Sequence, residues 1–272
     1  MTTQTAKGEA FRALHAREGA FIIPNPWDVG SARILANLGF EALATTSAGY
    51  AFSAGKRDYT IDREAMLAHV AEIAAATPLP VSADLENGYA SDARGVAETY
   101  RLAAAAGAVG ASIEDATGDR AAPLFDIARA AERVRAAADA ARALPFPFTL
   151  TARAENFLVG RNDVKDVIAR LQAYQGAGAD VLYAPGLVAA DDIATVVRAV
   201  DRPVNVVMGL GASKLDLAAL AGLGAKRISV GSALSRAAYG AFIRAAREMR
   251  EHGTFDFAKD AIGYAEISAM FE

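Results

Sequence analysis

Apolar residues fall in short runs along this chain, and most runs are followed by a stretch with helical apolar spacing. The runs are Phe21-Ile22-Ile23, Ala42-Leu43-Ala44-Thr45-Thr46, Val81-Ser82-Ala83-Asp84 and Ala111-Ser112-Ile113. Phe148-Thr149-Leu150-Thr151-Ala152-Arg153, Val181-Leu182-Tyr183-Ala184, Val204-Asn205-Val206-Val207 and Arg227-Ile228-Ser229-Val230 complete the set. Each has the length and composition of a buried strand. Between them, Asp28, Asp62, Asp92, Asp163 and Asp191 stand where helix N-caps belong, and Gly39 and Gly107 where helices stop. Gly107-Ala108, Gly178-Ala179-Asp180 and Gly224-Ala225 read as repeated helix-exit turns. Eight alternations of strand and helix predict a TIM-type (β/α)8 barrel, one domain over residues 1–272. An open doubly wound sheet wants a Gly-rich fingerprint after strand 1, where Asn25-Pro26-Trp27-Asp28 stands instead. A helix over 8–17 precedes strand 1, and a C-terminal extension over 237–271 follows strand 8 as two helices, 237–251 and 255–271. The second carries Phe257, Ile262, Tyr264, Ile267, Met270 and Phe271, a face that must pack on its own barrel or on a neighbouring subunit.

Composition narrows the function without naming it. The 272 residues are 53% hydrophobic, ample for one large core. A net charge of -4 and the lack of any basic run argue against a nucleic-acid surface. No apolar stretch reaches the ~18 residues of a membrane span, and the first ten residues lack a secretory h-region. A cytoplasmic location is the expectation. With Cys 0, thiolate nucleophiles and Cys-ligated zinc are excluded. His15, His69 and His252 fall in predicted helices away from strand ends, which disfavours a histidine base. Lys214 and Lys226 do not lie at interior strand ends, which disfavours a Schiff-base enzyme.

In a parallel barrel, chemistry collects at the C-terminal ends of the strands. Those ends carry Asn25 and Asp28, Thr45 to Gly49, Asp84 and Glu86, Glu114 and Asp115, Arg153 and Glu155, Tyr183, Asn205 and Ser232. If strand 3 stays extended, period-two alternation aims Asp84 and Glu86 the same way, and Asn87-Gly88 then turns the chain. Asp84, Glu86 and Glu114 offer the oxygen donors that Mg2+ takes directly or through water, with Mn2+ as a second candidate ion. Arg153 presents a bidentate fork for a substrate carboxylate. Ser47, Ala48 and Gly49 form a small-residue loop whose backbone N–H groups suit a second anionic end. Asn205 in an apolar strand implies a polar cavity around its amide. Gly209 to Ser213, after strand 7, is a weaker phosphate-loop signal.

These stretches resemble the isocitrate lyase/phosphoenolpyruvate mutase superfamily over nearly the whole chain. The resemblance is carried by Asn25-Pro26-Trp27-Asp28 with Ser31-Ala32-Arg33, by Thr45-Thr46-Ser47-Ala48-Gly49, and by Lys56-Arg57-Asp58. Val81 to Tyr89, Ile113-Glu114-Asp115 and Thr151-Ala152-Arg153 complete it. It implies a barrel whose last helix swaps between subunits in a dimer of dimers. It implies Mg2+ held by Asp84, with Asp58, Glu86 and Glu114 reaching it through water. It also implies that Ser47 and the Ala48 and Gly49 backbone hold a substrate carboxylate or oxyanion, and that Arg153 contacts its carboxylate. The shared chemistry runs through a pyruvate-like enolate.

Departures shape the expected reaction. Isocitrate and methylisocitrate lyases of this superfamily place a Cys on the loop after strand 4, whereas this loop reads Ala116-Thr117-Gly118-Asp119-Arg120-Ala121-Ala122-Pro123. The phosphonate enzymes place a Lys where Ala116 stands. The lyases carry a Glu after strand 6, where Ala184-Pro185-Gly186 stands. Asp119 and Arg120 become the gate-loop candidates, with Gly118 as hinge. The expectation is a Mg2+-dependent lyase or decarboxylase acting on a small oxaloacetate- or malate-like acid, with Arg153, Glu114 and Ser47 as its reactive set. A phosphonopyruvate-type mutase or hydrolase and a barrel that binds metabolite without turnover are the alternatives.

Overall fold

Aspartates begin most of the outer helices. Asp28, Asp62, Asp92, Asp126, Asp163 and Asp216 each accept a backbone N–H in the first turn of the helix that follows, whereas Asp191, expected in the same role, lies inside the first turn of a helix that Ala189 begins without a side-chain cap. The computed structural model describes residues 2–211 and 213–271. Of the Gly209 to Ser213 stretch, Ala212 lies outside the described residues. The strands are β1 (Phe21–Ile23), β2 (Leu43–Ala44), β3 (Val81–Asp84), β4 (Gly110–Glu114), β5 (Thr149–Arg153), β6 (Val181–Tyr183), β7 (Val204–Val207) and β8 (Arg227–Ser229). They form one parallel sheet in the order β1-β8-β7-β6-β5-β4-β3-β2. At the seam between β1 and β2, Ala44 N–H donates to the Pro24 carbonyl (3.1 Å), so the barrel is nearly closed.

The helices are α1 (Gln4–Ala16), α2 (Val29–Asn37), α3 (Ser47–Ser53), α4 (Arg63–Ala76), α5 (Ala93–Ala105), α6 (Ile127–Arg142), α7 (Val164–Ala177), α8 (Ala190–Arg198), α9 (Leu217–Gly222), α10 (Ala233–His252) and α11 (Tyr264–Ala269). None of them is long and apolar enough to cross a membrane. The first helix starts four residues before the expected 8–17 span because Thr3 caps it, accepting from Ala6 N. The C-terminal extension also differs from its two expected helices. α10 begins at Ala233, and the second helix is broken into a 3-10 turn over Asp256–Asp260 and the short α11. Ala261 is extended between them, so the helical spacing over 255–271 does not make one continuous rod.

Period-two alternation divides each strand between two environments. Ala111, Ile113, Leu150, Ala152, Leu182, Val206 and Ile228 pack in the layer between strands and helices, against Tyr100, Leu171 and Tyr174. Each fully buried Leu or Ile there stabilises the fold by about 2 kcal/mol relative to exposure. The alternate positions are mostly polar in β3, β4, β5, β7 and β8: Ser82, Asp84, Ser112, Glu114, Thr151, Arg153, Asn205, Arg227 and Ser229, with Ile23, Ala44 and Val207 as apolar members lining the same cavity. The interior of this barrel is therefore more polar than the branched apolar layers that are usual. Beyond β8 the surface reverses character. Phe242 is 68% exposed, Phe255 67% and Tyr264 88%.

Candidate active site

Asp84, Glu114 and Arg153 are the last residues of β3, β4 and β5, so three charged side chains leave adjacent strands at one end of the barrel. Parallel register sets Glu114 directly beside Arg153. The guanidinium donates from Nη1 to Asp84 Oδ1 (2.9 Å) and from Nε to Glu155 Oε1 (2.8 Å), and its Nη2 is 3.0 Å from Glu114 Oε2. The second Glu114 oxygen accepts from the Tyr59 hydroxyl (2.7 Å). Asp84 Oδ2 accepts from Ser47 N–H (3.0 Å), and Ser112 Oγ donates to Oδ1 (3.3 Å).

That Ser47 donor exists because Ser47 begins a helix. The small-residue stretch expected as a loop is the first turn of α3, capped by the Thr46 hydroxyl, which accepts from Gly49 N–H (3.2 Å). The first N–H groups of a helix have no internal partner, and Ser47 turns its own onto the carboxylate. Ser47 and Ala48 line the cavity below; Gly49 is packed behind them. A Cβ on Gly49 would stand 2.6 Å from Thr46 Cγ2 and 3.0 Å from Trp27 Cβ.

Glu86 reaches the site by another route than alternation. The strand stops at Asp84, and Glu86 takes φ +47°, in the left-handed region. The turn closes with Gly88 N–H on the Leu85 carbonyl (2.8 Å). Glu86 is 6% exposed, and its Oε1 has no hydrogen-bond partner among the described residues. Burial, and then Asp84 and Asp58, push its carboxyl up to about 8. Burial and Asp84 likewise raise Asp58. Burial raises Glu114 and Glu155, because the one guanidinium that opposes it is shared among three carboxylates. Arg153 stays firmly charged: burial works against it, but Glu155, Glu114 and Asp84 together outweigh that cost.

The carboxyls of Asp58, Asp84, Glu86, Glu114 and Glu155 thus surround a single cation, and either protons or a further cation must balance them. Among the described residues, no three His, Cys, Asp or Glu side chains group closely enough to hold a metal ion by themselves. The group between Asp84, Glu114 and Glu155 is Arg153. The donor set nevertheless fits a hard cation, since every donor is an oxygen and the buried Glu86 Oε1 is unpartnered. Mg2+ commonly takes one or two carboxylates and completes its shell with water and substrate.

A cavity of about 130 Å3 lies beneath these groups, lined by Asn25, Ser47, Asp84, Arg153, Asn205 and Arg227 among others. A second, of about 460 Å3, adjoins it and shares Ser47, Asp58 and Arg153. Asp119 and Arg120 line this second cavity, so the loop after β4 stands over the mouth. Thr117 N–H donates to the Pro123 carbonyl (3.0 Å), and Asp119 Oδ1 accepts from Ala121 N–H (2.9 Å), which pins the loop as a short hairpin. Asp115, next to Glu114, serves the scaffold: its carboxylate takes Glu155 N–H, Arg170 Nη1 and the Tyr174 hydroxyl. The Asn205 amide is satisfied from β8, accepting from Arg227 Nε (2.8 Å) and donating to Ser229 Oγ (3.0 Å).

Tyr59, Glu155 and Arg227 complete the site and carry no role in the sequence reading. Glu155 was visible as a strand-end residue. Tyr59 sits in a loop at φ +60°, and nothing in the pattern ties it to Glu114. Arg227 opens its strand rather than closing it, opposite to where barrel chemistry is sought.

Fold and site together define a barrel enzyme with an acid-rich mouth organised around one arginine. Residues 11–250 match the family model for phosphoenolpyruvate phosphomutase, and the chain belongs to that family, within the isocitrate lyase/phosphoenolpyruvate mutase superfamily. An uncharacterised protein of Mycobacterium tuberculosis H37Rv is 32% identical, covering 96% of this chain and 95% of its own. Oxaloacetate decarboxylase of Chromohalobacter salexigens is 30% identical, covering 89% of this chain and 84% of its own. Among solved structures, one of the lyase/mutase type from Burkholderia cenocepacia J2315 superposes with a TM-score of 0.97 at 64% identity, covering 98% of this chain and 97% of its own.

Proposed function

We propose that this protein is a Mg2+-dependent lyase or decarboxylase that acts on a small 2-oxo or 2-hydroxy carboxylate of the oxaloacetate or malate type, through an enolate. The observation that carries this reading is the surplus of buried carboxyls around Arg153 at the ends of β3, β4 and β5. Similarity to an oxaloacetate decarboxylase over most of both chains supports it.

In this reading Asp84 holds Mg2+, or Mn2+ in its place, and Asp58, Glu86 and Glu114 reach the ion through water. When bound, the ion supplies positive charge where the enolate oxygen develops. The chain does the positioning. Three of the five N–H groups of Arg153 are engaged by Asp84, Glu114 and Glu155, which fixes the plane of the fork before substrate arrives. Its remaining donors take the substrate carboxylate. The first turn of α3 brings Ser47, with the Ala48 and Gly49 backbone, to the other side of that carboxylate or of the oxyanion, and prepaid orientation of this kind lowers the barrier without reorganisation. Tyr59 keeps Glu114 turned toward Arg153. Asn205 lines the wall beneath. The loop bearing Asp119 and Arg120 closes the mouth and excludes water from the carbanionic carbon.

The exposed aromatic residues of α10 and the segment after it suit a homo-oligomer, a dimer of dimers in this proposal, in which the C-terminal helices pack on a neighbouring subunit.

The test is pyruvate release from oxaloacetate with Mg2+ and with EDTA. Release that needs the metal and is lost in Asp84→Asn supports the reading. Phosphonopyruvate is the paired substrate, because the family model that matches is that of a phosphomutase. Turnover of phosphonopyruvate alone would move the chemistry to P–C bonds, and metal and oxalate binding without turnover of either acid would leave a metabolite-binding barrel.

A further inference from the structure

Four guanidinium groups are held in the interior among the described residues: two meet carboxylates, Arg133 lies outside the barrel and donates to the Asn87 and Ala90 carbonyls, and Arg227 stands inside the barrel without a carboxylate. Arg153 meets Asp84, Glu114 and Glu155, and Arg170 meets Asp115 and Asp166. Arg227 is 4% exposed and has no ion pair among the described residues. Its Nε donates to the neutral Asn205 Oδ1, and its Nη1 is fully buried with no partner among the described residues. Burial lowers its pKa to about 10, which leaves it a cation at neutral pH.

Strand register fixes where that charge stands. Glu114, Arg153, Tyr183, Asn205 and Arg227 are successive partners across β4 to β8. Barrel strands tilt by roughly 36° to the axis, so such a row winds downward as it passes from strand to strand. It starts at the last residue of β4 and ends at the first residue of β8. Arg227 is therefore the floor of the cavity whose mouth holds Asp84, Ser47 and Arg153. The mouth cation is already claimed by carboxylates; the floor cation is not. Ser82 and Ser229 line the space between. At about 130 Å3 against ~30 Å3 for one liquid water, the space accommodates several heavy atoms.

We infer that Arg227 is a second anion subsite, which receives the far carboxylate of a small dicarboxylate whose other end lies at Ser47, Asp84 and Arg153. This rests on the reading of the cavity as a carboxylate site. A cation that lines the cavity and faces no carboxylate favours an anionic group there, and gives nothing to a methyl group in the same place.

Succinate and butyrate, unreactive four-carbon acids that differ by one carboxylate, test this by calorimetric titration of the full-length protein in Mg2+. The wild type is expected to bind succinate at least about tenfold more tightly. Arg227→Met should bring the ratio close to one, and Arg227→Lys should keep part of it. Should Arg227→Met not fold, Arg227→Gln, which retains a donor toward Asn205 without the charge, is read the same way. A wild type without preference, or an uncharged variant that keeps the full preference, overturns the subsite and makes Arg227 a cation of the scaffold. Because the probes do not react, an intact preference without oxaloacetate turnover overturns the proposed reaction alone. Turnover with a preference that ignores Arg227 overturns the subsite alone.

Discussion

Arg153 Nη1 stands 2.9 Å from Asp84 Oδ1, an ion pair between β5 and β3 that spans the intervening β4. The same guanidinium serves Glu114, on the strand it crosses, so one side chain ties three staves together at the mouth. Lysine offers a point charge and cannot meet three carboxylates in one plane. Arg153→Lys is expected to lower turnover by roughly 10²-fold, the scale of a lost oriented donor, and to lower Tm as well. Arg153→Ala, which strands buried carboxylates, should cost about 3–5 kcal/mol in a denaturant titration.

Glu86, a proposed partner of the metal, is also a proton site. In the folded protein its carboxyl loses its proton near 8, and in the unfolded chain near 4.5. Between those values the folded state binds the extra proton, so Glu86 makes stability fall as pH rises from about 4.5 to 8. Glu86→Gln lacks this penalty. In EDTA, melting curves of the variant and wild type should nearly coincide at pH 5 and diverge toward pH 8, with the variant the more stable. Mg2+ should narrow the gap by stabilising the wild-type carboxylate. A gap that does not change with pH would show that Glu86 is not buried as described.

Gly49 holds α3 against its neighbours. With Thr46 Cγ2 2.6 Å and Trp27 Cβ 3.0 Å from a new methyl, Gly49→Ala must displace the first turn that aims Ser47 at Asp84. An overpacked site of this kind costs about 1–3 kcal/mol. The expected signature is a lower Tm together with a raised KM, since the same turn is proposed to face the substrate.

Two buried histidines set the acid limit. His15, between the Phe11 and Phe21 rings, is depressed to about 3 by burial and then by Arg227, and His69, stacked on Tyr50 at 3.9 Å, to about 4 by burial. Unfolded imidazoles take up a proton near 6.5. The stability they contribute is complete above pH 6.5 and drains away as pH falls toward 4 and 3. At pH 5 each should cost about 2 kcal/mol. His69→Phe, which keeps a ring on Tyr50, should therefore recover about 2 kcal/mol relative to wild type between pH 7.5 and pH 5.

Much of this architecture was legible in the sequence, because Asp caps and apolar runs are local signals. Asp84, Glu114 and Arg153 were readable for the same reason: each ends a run of four or five strand residues. What escaped depends on geometry that no window contains. Glu86 leaves the line of alternation once its φ turns positive, and Ser47 to Gly49 is helical because Thr46 caps it, although Gly and Ser read as loop. Asn205 alone pointed to a polar cavity; the inward Ser and Thr residues that extend it alternate with strongly apolar neighbours, and the average of the two looks like ordinary core. Arg227 and Asn205 are 22 residues apart, and only register brings them into contact.

The β1–β2 seam has a consequence for how the barrel breathes. β2 is two residues long, and its neighbour β1 is reached by the Ala44 bond to Pro24. Asn25 stitches across the gap, donating to the Thr45 carbonyl (3.1 Å) while its Oδ1 accepts from Val230 and Gly231 N–H (2.9 Å each). Amide hydrogens of Ala44 and Thr45 should exchange with deuterium well before those of β4 and β5, because so little ladder protects them. Asn25 and Thr45 also line the cavity, so the first part of its wall expected to open borders the proposed substrate site. A ligand that braces Asn25 would slow that exchange, which makes the seam a built-in reporter of occupancy.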